Sequence, residues 1–188
     1  MLIPAVLMPT VPTETTRIDD QADRGRKQEE AMSQTDQIKG QVVDGCVDVE
    51  IHIAAPPDAV YEFLVDPEKL LRWMGQEADI DPRPGGRFWL KVGDGTAEGE
   101  YVELVAGRRI VLTWGWVGSD TVPPGSTTVT FELEATGTGT GTGTNVHLIH
   151  RGLPTEERAK HVEGWLFFGG RLHIVAEGGD PDAAASTD

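Results

Sequence analysis

A single cysteine, Cys46, occurs in the 188 residues of the chain. One thiol excludes an internal disulfide and any cysteine-built metal site, and it fits a reduced, cytoplasmic setting. No segment is basic either. The net charge of −15 divides into −3 over residues 1–45, −8 over 46–176 and −4 over 177–188. Such a chain has no electrostatic footprint for nucleic acid or for an anionic membrane surface. No apolar run reaches the ~20 residues of a membrane span. The apolar opening Met1–Met8 has no basic flank, is broken by Pro4 and Pro9, and shows no small-residue cleavage site, so it is not read as a signal peptide. Met32 offers a second natural start. A nucleophile elbow, a zincin helix and a Walker lysine are all missing. The Gly-Thr repeat over Thr136–Thr144 has glycine at every second position, the composition of a slack hairpin loop rather than of a phosphate cradle.

What the chain does have is a long amphipathic segment near its end. Pro154, Thr155 as N-cap, and Glu156 and Glu157 in the first turn predict a helix over Glu156–Ala176, roughly 30 Å long. Trp165, Phe168, Leu172 and Val175 fall on one face of it, with His161 one turn before Trp165. Upstream, from Val47 onward, alternation of apolar and polar residues predicts strands at Val47–Ile53, Glu77–Asp81, Arg87–Val92, Ala97–Val105, Ile110–Trp116, Thr127–Glu134 and Asn145–Arg151. Two short helices interrupt them after the first strand, Ala59–Val65 and a second from Asp66-Pro67 to Trp73-Met74. A long amphipathic helix following an antiparallel sheet must bury its stripe on that sheet, so the fold class is α+β. The expected organisation is a disordered extension over 1–44, one domain over 45–176, and a frayed acidic tail over 177–188.

Chemistry is harder to read. His147 and His150 point to opposite faces of one strand, and His161 and His173 are about 120° out of register on a helix, so no metal or other cofactor is expected. His150 should face inward beside Leu148, either as a satisfied structural histidine or as a polar anchor or acid–base group. Trp73, Trp114, Trp116 and Trp165 are either ordinary core or an aromatic lining. Tyr101 competes with Val102 and Leu104 for the inner side of its strand.

Several short motifs come in a telling order: Ile53-Ala54-Ala55-Pro56, Asp66-Pro67 with Trp73, Pro84-Gly85-Gly86-Arg87-Phe88, Gly99-Glu100-Tyr101, Thr113-Trp114-Gly115-Trp116, His150-Arg151-Gly152-Leu153-Pro154, and His161 with Gly164-Trp165. Over residues 47–176 the chain resembles the SRPBCC (START-like) superfamily, in the branch similar to the C-terminal domain of the heat-shock-protein-90 ATPase activator. The resemblance implies a helix-grip fold, a curved sheet around the long helix, with a cavity between them for a small hydrophobic molecule. The residues expected to line it are Trp73, Phe88, Tyr101, Trp114, Trp116, His150, Trp165, Phe168, Gly169 and Leu172, with no catalytic residue assigned. An enzyme acting on an apolar substrate, a chaperone partner and a homodimer stay open as alternatives. Gly169-Gly170 departs from the family, whose helices carry a bulky apolar residue there. Either the helix bends at this pair, or the missing side chains open room above the sheet.

Overall fold

Register across the sheet decides where the long helix can lie. The computed structural model describes residues 37–137 and 142–183. Its strands are β1 (Ile38–Val43), β2 (Cys46–Ile53), β3 (Glu77–Ile80), β4 (Arg87–Val92), β5 (Gly95–Val105), β6 (Arg109–Trp114), β7 (Thr127–Thr136) and β8 (Gly143–Arg151). They form one antiparallel sheet in the order β1-β2-β8-β7-β6-β5-β4-β3. Among the described residues three helices accompany it: α1 (Pro57–Val65), α2 (Pro67–Leu70) and α3 (Thr155–Ala176). No helix among the described residues is long and apolar enough to cross a membrane.

Alternation along β2 buries Val47, Val49, Ile51 and Ile53, and pairing aligns them with the inner rows of the next strands. Val47 lies opposite His150, which lies opposite Val129, which lies opposite Leu112. The adjacent row runs Val49, Leu148, Phe131, Ile110. Onto this floor α3 lays Trp165, Leu172 and Val175, and burial of each aliphatic side chain contributes about 1.5–3 kcal/mol. The helix runs against β1 and β2. Small residues allow the close approach: a Cβ on Gly169 would lie 2.9 Å from Ile51 Cδ1, one on Gly170 3.6 Å from Ile38 Cδ1, and one on Gly40 3.0 Å from Leu166. The glycine pair thus seats the helix backbone on the strands, and the helical run continues through it.

The structure corrects the sequence reading at four places. β1 lies inside the stretch expected to be disordered. It is held by a two-residue hairpin, Asp44-Gly45, with φ of 50° and 78°, the positive angles that a turn matching the strand twist requires. Residues 1–36 lie outside the described ones. At the other end, residues 177–183 hold to the domain. Ala54 donates its N–H to Glu177 Oε1 at 2.6 Å, and Arg171 pairs with Asp182; 184–188 lie outside. Pro154, not Thr155, takes the N-cap position of α3, without a side-chain cap. Finally, α2 stops at Leu70 and the chain turns on to Met74 through bonds from Arg72 N–H to Lys69 O and from Trp73 N–H to Leu70 O. Asp66 caps α2 as expected, accepting from Lys69 N–H at 3.0 Å. Thr136 pairs with Gly143 across the Gly-Thr hairpin, whose tip, 138–141, is outside the described residues.

Candidate functional site

With one flank of α3 on β1 and β2, its other flank faces the strands at the far side of the sheet. A cleft of about 230 Å³ opens there, walled by Trp114, Trp116 and Val92 from the sheet side, Met74 after α2, and Trp165 and Phe168 from α3. Gly164 lies in the helical wall, and a Cβ added to it would meet nothing within 4 Å. Trp114 and Trp116 pack edge to face, with centroids 5.6 Å apart at 89°, and Trp114 and Trp165 are tilted, 5.5 Å apart at 55°. Such arrangements suit the ring quadrupoles and leave a stiff apolar surface. Lys160 and Glu157 pair at 3.0 Å beside the mouth.

Two histidines hold defined tautomers, His161 in this wall and His150 behind it. The side chain of Thr127 donates to Trp114 O at 2.8 Å, so its oxygen must accept from His150 Nε2–H, also at 2.8 Å. His150 Nδ1 then accepts the indole N–H of Trp165 at 3.1 Å. His150 is fully buried, and burial, with the nearby His161, lowers its pKa from 6.5 to about 3. It is neutral, and both ring nitrogens are engaged. His161 carries its proton on Nδ1, which donates to Glu157 O at 2.8 Å, while Nε2 accepts from Trp116 Nε1–H at 3.3 Å. The indole N–H of Trp114 is buried with no acceptor among the described residues.

Of the residues expected to line a cavity, Trp114, Trp116, Trp165 and Phe168 meet at this cleft. The others stand elsewhere. Trp73 is buried with its N–H on Phe63 O at 2.8 Å. It borders, with Phe88, an interior void of about 10 Å³, too small for any ligand and marginal even for a water. Tyr101 does face inward. Its hydroxyl donates to Leu64 O at 3.4 Å, its ring meets Phe88 edge-on at 5.8 Å, and burial raises its pKa above the ordinary 10. Leu172 is core, His150 lies beneath Trp165, and Gly169 packs on Ile51 rather than on the cleft. Met74, Val92, His161 and Gly164 complete the cleft without having been assigned to it. The spacing of His161 and Trp165, one helical turn apart, carried the signal for His161.

Beyond Phe168 and Val92, which border both, lies a second groove of about 350 Å³ reaching Trp73, Gln76, Phe167 and Arg171.

Comparison with known proteins follows the same residues. A family model described as activator of Hsp90 ATPase homolog 1-like protein matches residues 54–175. A curated relative from Dictyostelium discoideum, an activator of 90 kDa heat shock protein ATPase homolog, is 29% identical over 111 residues, 59% of this chain and 27% of the relative. The chain therefore spans about a quarter of that relative's length. Among solved structures, an AHSA1-like protein from Rhizobium etli is 44% identical with a TM-score of 0.59, covering 76% of this chain and 88% of its own. DynU16, a protein of the dynemicin biosynthetic locus, is 28% identical with a TM-score of 0.60, covering 74% of this chain and 49% of its own.

Proposed function

Because the chain belongs to the family of activator of Hsp90 ATPase homolog 1-like proteins, we propose that it acts by binding a small hydrophobic molecule in the cleft between sheet and α3. The observation that carries this reading is the open apolar space in front of Gly164, framed by Trp114, Trp116, Trp165 and Phe168. Concave sites with mostly apolar walls and few polar groups are where small ligands bind. The state of His150 supports binding rather than catalysis: a neutral imidazole with both nitrogens committed has no proton to take or give at neutral pH.

The test uses Nile red, a neutral apolar fluorophore, together with native mass spectrometry of protein purified from its own host. The parent chain should bind the dye saturably, and Gly164→Leu should remain folded yet lose it. A folded Gly164→Leu variant that binds as well as the parent would overturn the reading.

A second reading, action on a heat-shock-protein-90 ATPase, is favoured by what the Dictyostelium relative is named for. It ranks below the first because this chain matches only 27% of that relative.

A further inference from the structure

The groove past Phe168 differs from the aromatic cleft in holding a fixed cation. Arg171 is anchored through Nε, which donates to Trp73 O at 3.1 Å. Its terminal nitrogens grip one carboxylate in two-pronged fashion, to Asp182 Oδ1 at 2.6 Å and Oδ2 at 3.3 Å. The guanidinium also lies 6.0 Å from the ring centroid of Phe167, which is 62% exposed. The two partners of the ion pair are unlike. Arg171 has 23% of its side chain exposed and is built into the groove wall, whereas Asp182 has 70% exposed and is supplied by the turn after α3. An ion pair with one partner in solvent is weak, so another carboxylate could displace Asp182. Hydrogen bonding to Arg171 holds the Asp182 carboxyl below its ordinary pKa, so it is ionised at neutral pH.

We propose that Arg171 is the carboxylate anchor for an amphipathic acid whose apolar part passes Phe168 into the Trp114, Trp116 and Trp165 cleft, and that Asp182 occupies the anchor when no ligand is bound. This deepens the reading of the cleft and rests on it. The planar guanidinium fork matches a carboxylate in geometry as well as charge, and Asp182 demonstrates the pose. Phe168 and Val92 border both groove and cleft, so a ligand lying across Phe168 would reach both. The acidity of the whole chain acts against an anion only at short range, since charges beyond ~8 Å are screened at physiological salt. Asp180, the other acid acting on Arg171, is in the same turn and accepts the Asp182 N–H at 2.9 Å.

The experiment titrates dodecanoate and dodecanol, each below its aggregation threshold, into the full chain and follows tryptophan fluorescence and heat. The parent should prefer dodecanoate by about tenfold, the equivalent of one bidentate charged contact. Asp182→Asn should raise dodecanoate affinity several-fold and leave dodecanol unchanged. Arg171→Gln should bring the two ligands to equal affinity. If Arg171→Gln does not fold, because Trp73 O loses its donor, Asp182→Asn alone decides, through its selective effect on the acid. Equal affinities for acid and alcohol in the parent, or equal responses of both to Asp182→Asn, overturn the anchor and leave the cleft standing. Binding of neither ligand overturns the anchor and the cleft together.

Discussion

Trp165 donates its indole N–H to Nδ1 of His150 across 3.1 Å, tying the middle of α3 to the last strand beneath it. The bond works only while that nitrogen is bare. A proton on Nδ1 would set N–H against N–H in a fully buried site, at a cost of several kcal/mol.

Stability should therefore fall as the solution is acidified. The unfolded chain protonates His150 near 6.5, whereas burial, with His161 adding to it, keeps the folded residue neutral down to about 3. The contribution is complete above pH 6.5 and is lost between 6.5 and 3 at about 1.4 kcal/mol per pH unit. Urea melts at pH 7.5, 6 and 5 measure it. His150→Gln, which keeps a donor and an acceptor but does not titrate, should show a shallower slope than the parent in that window. Parallel profiles would contradict the buried neutral state.

Gly164 and Gly169 of α3 should respond oppositely to added side chains. At Gly164 nothing lies within 4 Å of a new Cβ, so Gly164→Ala should stabilise by up to ~1 kcal/mol through helix propensity alone. At Gly169 the same Cβ would press on Ile51 at 2.9 Å, which offsets that gain. Gly169→Leu should overpack the interface and cost about 1–3 kcal/mol. Chemical denaturation of the three variants checks the contrast, and a tolerated Gly169→Leu would break it.

Removing everything before Gly45 should lower the thermal midpoint by several degrees. That deletion takes away Ile38 and Gly40, which pack against α3 at Gly170 and Leu166, and leaves β2 as a raw edge. Gly45→Ala, at φ 78°, should by itself cost about 1–2 kcal/mol. A deletion variant melting with the parent would show that β1 contributes nothing.

Titrated against the heat-shock-protein-90 homologue of its own host, the chain should leave the ATPase rate unchanged. Clear, saturable stimulation would instead favour the chaperone reading over the ligand-binding one.

Much of this architecture is legible in the residues. The alternation of Val47, Val49, Ile51 and Ile53, and of Val129, Phe131 and Leu133, faces each strand correctly and places His150 inside. The strand at Ile38–Val43 escapes because Gly40 and Gln41 interrupt its pattern and Val42 and Val43 are largely exposed; the Asp44-Gly45 turn was the signal to weigh. Gly164 and Gly169 are five residues apart, about 140° around the helix, and the seat of Gly169 on Ile51 of β2 decides which of the two flanks is covered, a choice that helical spacing alone does not make. The hydrogen bonds that fix the His150 tautomer reach Thr127 and Trp165, 23 and 15 positions away, and no local pattern encodes them.

Strand order has a kinetic consequence. β2 sits between β1 and β8, and its partner residues His52 and Asn145 are 93 positions apart. During synthesis β2 can fold into a hairpin with β1 early, but its other edge stays unpaired until β8 has been made. Its apolar face waits longer still, for α3. Native pairing so distant in sequence makes for slow closure, and the exposed edge of a half-made sheet is a template for the wrong strand. A chain made only as far as β7 therefore carries β2 with one open edge, because the strand that joins it to β3–β7 in the finished sheet is still missing.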